Sequence, residues 1–292
     1  MTLPTNAAEP SATPTGAPWL PPGRDVELPG IGHTHVRDSG GPDDAPTVLL
    51  LHGWAVTADL NFFPAYPALA EQYRVVALDH RGHGRGIRPA DGIVRLPDCA
   101  DDAVGVLDVL GIDQAVVVGY SMGGAIAQLV WHRHPDRVQG LVLASTARHF
   151  QGGPISELWY RSYTPLAHLS HRVSGPAEAL VRARIDRRVR GSERAEWMRS
   201  ELEQVSPSGL LSSMRSVGRF KSNDWIGGVT VPTSVIVTTQ DRTIPARGQR
   251  RLAAAIPASA TFEVKGPHDA IVTRPDAYLP QLDLAIAHAA GA

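Results

Sequence analysis

Ser121, Asp241 and His268 are the three residues whose types could together do chemistry on an acyl carbon. A serine hydroxyl is a weak nucleophile near neutral pH and needs a base; imidazole titrates in the right range to take its proton. A carboxylate on the far ring nitrogen fixes the tautomer and stabilises the imidazolium that forms. Ser121 stands in Gly119-Tyr120-Ser121-Met122-Gly123, directly after the β-branched run Ala115-Val116-Val117-Val118 and before Gly124-Ala125-Ile126-Ala127-Gln128-Leu129-Val130-Trp131. Strand, sharp turn and helix form the context in which a serine hydroxyl is held out. A Cβ two residues before or after the serine would collide with neighbouring backbone, which is why glycines flank it. The competing reading is a glycine-rich turn with an idle serine.

The elements that must position these residues alternate along most of the chain. Val26–Leu28 and Thr34–Arg37 read as an opening strand pair, Thr47–Leu51 as a buried strand ending at His52-Gly53-Trp54, and about 61–72 as a helix. Arg74–Asp79 is the next strand, ending in Asp79-His80-Arg81-Gly82-His83-Gly84. The spacing of Ala103, Leu107 and Leu110 predicts a helix over 97–110, with Pro97 at its start and Gly111 at its stop. A helix from the serine turn to about His134 ends at Pro135, and Leu141–Ala144 follows as a strand. Alternation stops between about 148 and 225, a stretch that is helical in pattern. It resumes with a strand at 233–237, a helix near 246–255, a strand at 261–264 and a terminal helix over about 275–289. The expectation is an α/β fold: a mostly parallel, doubly wound sheet with a helical insertion after the sixth strand. In such sheets ligands sit beyond the carboxyl ends of strands, where Ser121, Asp241, His268 and His52-Gly53-Trp54 all fall.

Composition narrows the class. With 292 residues, 43% hydrophobic and 20% charged, the chain has ample core for a soluble globular protein. A net charge of -1 gives no electrostatic argument for nucleic acid. The single cysteine, Cys99, reads as a small buried helix residue, cannot form an intramolecular disulfide, and is compatible with a reducing cytoplasm, the expected location. The first 23 residues are Pro-, Ala- and Thr-rich, lack the features of a secretory signal, and read as a flexible tail. No apolar run approaches the ~18 residues of a membrane span. The domain reading is therefore 1–23 tail, 24–147 core, 148–225 helical cap, and 226–292 core again.

The chain order Ser121, Asp241, His268, the turn at 119–123, the His-Gly strand end at 52–53 and the Asp-x-Arg-Gly-x-Gly loop at 79–84 together resemble the α/β-hydrolase family, over about residues 26–289. The resemblance implies that Ser121 is the nucleophile, His268 the general base and then acid, and Asp241 the orienting carboxylate. It also implies that the backbone N–H groups of Trp54 and Met122 form the oxyanion hole. The sequence departs from the family at Thr238, where a glycine commonly stands three residues before the acid. The alternative place for the acid, after the strand at 141–144, reads Ser145-Thr146-Ala147 and offers no carboxylate. Relatives that open epoxides or displace halide carry aspartate where Ser121 stands, so the resemblance points to acyl chemistry. The expected activity is hydrolysis of a carboxylic ester of a small to medium apolar substrate, with no cofactor and no metal. A thioester, lactone or C–C bond, peroxide chemistry and acyl transfer are open to the same residues, as is a ligand receptor on this scaffold. The oligomeric state is open.

Other polar residues read as structural. His80 and His83 belong to a tight turn tied by Asp79 and Arg81, His132 and His134 to the end of a helix, and His33 and His35 to one strand face without a carboxylate or cysteine cluster. Between 148 and 225, twelve arginines and one lysine face eight acidic residues, making that segment about +5 and the remainder about -6. This reads as the solvated face of cap helices. Trp159, Tyr160, Tyr163, Trp197, Met198, Met214, Phe220 and Trp225 in it divide between lining a pocket and holding the cap together.

Overall fold

The computed structural model describes residues 16–150 and 191–291. Eight strands form one sheet in the order β1-β2-β4-β3-β5-β6-β7-β8. They are β1 (Gly23–Leu28), β2 (Gly32–Asp38), β3 (Thr47–Leu51), β4 (Arg74–Leu78), β5 (Ala115–Tyr120), β6 (Val138–Ala144), β7 (Thr233–Thr238) and β8 (Ala260–Val264). The first two form an antiparallel hairpin, β2 is antiparallel to β4, and every remaining pair is parallel. The parallel part is continuous from β4 to β8, so the carboxyl ends of β3, β5, β7 and β8 emerge along one rim.

The strands divide their side chains between two faces with a period of two. Leu49, Leu51, Val76, Leu78, Val117, Leu141, Leu143, Val235 and Val237 pack on one face. Val48, Leu50, Val75, Ala77, Val116, Val118, Val142 and Ile236 pack on the other. The first face is covered by α3 (Leu96–Val109) and α4 (Met122–Arg133). The second is covered by α1 (Ala58–Phe62), α2 (Tyr66–Ala70) and the C-terminal helix over Pro275–Ala290. Both faces buried on apolar strands is the condition for a parallel sheet.

Several boundaries differ from expectation. The helix expected over 61–72 is two short helices, because Pro64 lies between them and Pro67 occupies the first turn of the second. β6 starts at Val138 rather than Leu141 and so takes in Gly140, a glycine inside the strand because a Cβ there would meet the Ala289 carbonyl oxygen of the C-terminal helix. β5 runs on to Tyr120, up to the serine itself.

Between β6 and β7 the described residues carry α5 (Ala195–Glu203) and α6 (Pro207–Arg219), which continue the expected cap; its part over 151–190, with Trp159, Tyr160 and Tyr163, lies outside the described residues. Ahead of β1, of the tail expected over 1–23, residues 1–15 lie outside as well, whereas Pro21 and Pro22 offer their carbonyls to the Arg37 guanidinium and the Asp38 N–H at 3.1 and 3.0 Å. After β7 come α7 (Ala246–Ala253), β8, α8 (Ala270–Thr273) and α9 (Pro275–Ala290).

Candidate active site

Ser121 lies between the last residue of β5 and the first of α4, with φ 55° and ψ -113°, a strained conformation that a non-glycine residue adopts only when its surroundings impose it. The flanking glycines show how it is imposed. A Cβ on Gly119 would run into the Gly123 carbonyl oxygen, and one on Gly123 into the Leu51 carbonyl oxygen of β3. The serine N–H donates to the Ala144 carbonyl of β6 at 2.9 Å, and Thr146 Oγ1 donates to the serine's own carbonyl at 2.8 Å. The turn is therefore fixed from both neighbouring strands, and Ser121 is nearly buried with its hydroxyl at the sheet rim.

His268, in the loop after β8, places Nε2 2.9 Å from Ser121 Oγ and Nδ1 2.7 Å from Asp241 Oδ2. An ionised carboxylate only accepts, so the imidazole proton sits on Nδ1 and the bare Nε2 accepts from the serine hydroxyl. Asp241, in the loop after β7, accepts two backbone N–H bonds on Oδ1, from Thr243 and Ile244, each at 2.8 Å. On Oδ2 it accepts from Thr238 Oγ1 at 2.9 Å and Gln249 Nε2 at 3.1 Å besides the imidazole. Burial alone would raise this carboxyl; the hydrogen bond and charge of His268, with the Ile244 and Thr238 donors, outweigh it and hold the group below the usual carboxylate range. The three residues named from the sequence thus meet, Ser121 Oγ and Asp241 Oδ2 lying on the two ring nitrogens of His268. Thr238, standing where the family pattern has glycine, is one of the acid's donors.

The two expected oxyanion donors belong to Met122, which follows the serine, and to Trp54, in the loop that packs against it. Met122 opens α4, and the first N–H groups of a helix have no intrahelical partner. Trp54 follows Gly53, which packs against Ser121: a Cβ built on Gly53 would stand 3.5 Å from the serine Cβ. Asn61 Oδ1, from α1, accepts the Gly53 N–H at 2.8 Å and fixes this loop. Trp54 is 37% exposed, and its Nε1 donates to the Leu210 carbonyl of α6 at 3.0 Å.

Beneath the loop, His80 N–H donates to His52 Nε2 at 2.9 Å, so the His52 proton is on Nδ1, which donates to the Gly53 carbonyl at 2.7 Å. Burial lowers His52 to about 4 and His83 to about 3 and pushes His80 well below its ordinary range, so all three are neutral supports. Their turn is tied as its charges suggest, with Arg81 on Asp102 and Asp98, and Asp79 on the N–H groups of Ala58 and Arg85. His134 contacts Asp101 at 2.8 Å, and His132 stacks on Trp225 with ring centroids 4.2 Å apart. Among the described residues, no group of three histidine, cysteine or acidic side chains is arranged to hold a metal, and no helix is long and apolar enough to cross a membrane.

Sequence reasoning missed Asn61, Gln249, Glu201 and the role of Tyr120, whose hydroxyl donates to the His268 carbonyl and whose ring lies 5.9 Å from the imidazole. A signal existed for two of them. Asn61 and Gln249 are polar residues on otherwise apolar helix faces, beside Ala58 and Phe62 and beside Leu252 and Ala253. Of the cap aromatics, Trp197 is buried against Phe63 of the core at 5.2 Å between centroids and so ties α5 to the core, whereas Phe220 and Trp225 pack on each other at 6.4 Å within the segment.

A family model described as "alpha/beta hydrolase fold" matches residues 46–275. The chain is 42% identical over 127 residues to 2-hydroxymuconate semialdehyde hydrolase of Pseudomonas sp. (strain CF600), a match covering 43% of this chain and 44% of that enzyme. It is 40% identical over 111 residues to the bifunctional esterase/perhydrolase DCH of Acinetobacter calcoaceticus, covering 36% of this chain and 38% of that one. These matches thus span less than half of either relative's own length. Among solved structures, the enol-lactonase from Burkholderia xenovorans LB400 superposes with a TM-score of 0.75 at 25% identity, covering 89% of this chain and 98% of that one. The sheet order and the matched span together show that the chain belongs to the α/β-hydrolase fold family, whose hydrolase members it resembles on both sequence and structure.

Proposed function

We propose that the protein is a serine hydrolase that cleaves a carboxylic ester of a small to medium apolar substrate through an acyl-enzyme. The observation that carries this is His268 bridging Ser121 at 2.9 Å and Asp241 at 2.7 Å, both within hydrogen-bond reach. Ser121 Oγ attacks the carbonyl carbon as its proton passes to His268 Nε2. The tetrahedral oxyanion is held by the N–H groups of Met122 and Trp54, a pair of donors of which each is worth about 100- to 1000-fold in rate. The imidazolium returns the proton to the leaving alkoxide, and water, deprotonated by His268, releases the acid and restores Ser121.

The segment 148–225 acts as the cap that sizes the substrate, with Trp54 among its contacts from the core side. A cyclic ester is the second reading, favoured by the superposition on an enol-lactonase over nearly the whole of both chains. The same constellation would serve the C–C bond of a semialdehyde such as the Pseudomonas relative's name describes. Hydrolysis of a chain-length series of nitrophenyl esters, alongside simple lactones, tests the reading. Turnover that falls to background in Ser121→Ala supports it, and turnover that survives the substitution rejects it.

A further inference from the structure

Asp241 is more heavily bonded than its part in the site requires. Two backbone N–H groups already orient a carboxylate, yet two neutral side-chain donors converge on Oδ2, the oxygen that faces His268. Both side chains are fully buried. Thr238 is the last residue of β7, and Gln249 lies one helical turn into α7, eight residues beyond the acid. The Gln249 amide is committed on both sides. Its Oε1 accepts the Thr238 N–H at 3.0 Å, and its Nε2 donates to the Ile244 carbonyl at 2.7 Å. Its second N–H hydrogen lies between Thr238 Oγ1 at 3.0 Å and Asp241 Oδ2 at 3.1 Å. The Thr238 hydroxyl also lies 3.2 Å from Ser145 Oγ, at the end of the intervening strand β6.

We propose that Thr238 and Gln249 are positioning residues for Asp241, a neutral bracket that fixes its carboxylate and draws charge off the oxygen facing His268, so that His268 stays ready to accept the Ser121 proton at lower pH. The proposal rests on the reading of His268 and Asp241 as base and acid. A donor to a carboxylate oxygen stabilises the charge there and leaves less of it to stabilise the imidazolium. The bracket therefore trades some stabilisation of the imidazolium for a base that remains unprotonated further into acid. Among the described residues, titratable and charged groups near the pair include Tyr120 from β5, Tyr278 from α9, Asp269 beside His268 in the chain and Arg242 beside Asp241; both tyrosine hydroxyls are raised by burial above their ordinary range, so neither carries charge near neutral pH.

The test reads the His268 Nδ1 proton by its downfield NMR resonance, assigned by its loss in His268→Gln, across pH in the wild type, Thr238→Val, Thr238→Ser and Gln249→Met. The midpoint should move up by about half a pH unit or more in Thr238→Val and Gln249→Met, and stay in place in Thr238→Ser, which keeps the hydroxyl. Midpoints within about 0.2 unit of wild type in the first two would overturn the bracket. Should Gln249→Met fail to fold, Thr238→Val, nearly isosteric, decides alone. Fluorophosphonate labelling of the wild type, run alongside, separates the two questions. Shifted midpoints without labelling reject Ser121 as nucleophile and keep the bracket; labelling without a shift rejects the bracket alone.

Discussion

The Glu201 carboxylate accepts the Thr57 hydroxyl at 2.8 Å, although the two residues are 144 apart in sequence. Thr57 is the N-cap of α1, its Oγ1 accepting the Leu60 N–H, and it ends the loop that carries Gly53 and Trp54. Glu201, on α5, is 5% exposed, with Arg85 3.7 Å away; Arg85 itself is paired with the buried Asp59 at 2.9 Å. One buried carboxylate thus ties the segment beyond β6 to the loop above Ser121.

Glu201→Ala should lower stability by about 2–4 kcal/mol, because it leaves the donating hydrogen of Thr57 and part of the Arg85 charge without a partner. Glu201→Gln, which keeps an acceptor, should cost less than half of that. Urea unfolding of the two variants checks the order; equal losses would mean that the charge rather than the acceptor holds the contact.

Two substitutions separate the backbone of the 53–54 loop from its side chain. Asn61→Leu removes the acceptor of the Gly53 N–H and should reduce kcat by about 10- to 100-fold with little change in KM, as a misplaced oxyanion amide would. Trp54→Phe keeps the amide and loses only the bond to Leu210. It should raise KM several-fold and leave kcat within about a factor of three. Steady-state ester kinetics distinguish them, and the same pattern in both would contradict the separation.

The buried histidines should make the fold less stable as pH falls below neutral. Folding lowers His52 from 6.5 to about 4 and His83 to about 3, through burial. The unfolded chain therefore takes up these protons first, so their contribution is complete above about pH 7 and is lost as pH falls from there toward the folded values. The slope is up to about 1.4 kcal/mol per pH unit for each. Asp241, held below the usual carboxylate range, acts in the same direction only below about pH 4. Urea midpoints taken between about pH 7.5 and 5 should fall in the wild type and fall less steeply in His83→Phe; an unchanged slope would exclude His83 from the effect.

Gly123→Ala should not yield a folded protein, since its Cβ would enter the Leu51 carbonyl of β3. The expected cost exceeds about 4 kcal/mol, the exceptional range reached when an added atom clashes with backbone that cannot move aside. Soluble expression and a thermal melt check this.

How far the sequence reaches follows from these residues. The serine turn was legible because its requirements are local: a β-branched run, glycines where a Cβ cannot fit, then a helix former. Asp241 and His268 were legible because strands of a parallel sheet end on one rim, and each follows such a strand. The split of the expected 61–72 helix turned on Pro64, which an otherwise helical spacing concealed. Asn61 and Gln249 carried a sequence signal, polarity on an apolar face, but neither they nor Glu201 could be assigned to a site from it. A lone polar residue on an apolar face declares itself only when its partner folds against it, and those partners lie 8, 8 and 144 residues away.

The most direct measurement is the intact mass of the protein after exposure to a fluorophosphonate, followed by peptide mapping, for wild type, Ser121→Ala and His268→Ala. One adduct on Ser121 in the wild type, none in Ser121→Ala and labelling slowed at least about 1000-fold in His268→Ala is the predicted result. A wild type that stays unlabelled, or an adduct that persists in Ser121→Ala, would contradict the assignment of Ser121 as a nucleophile activated by His268.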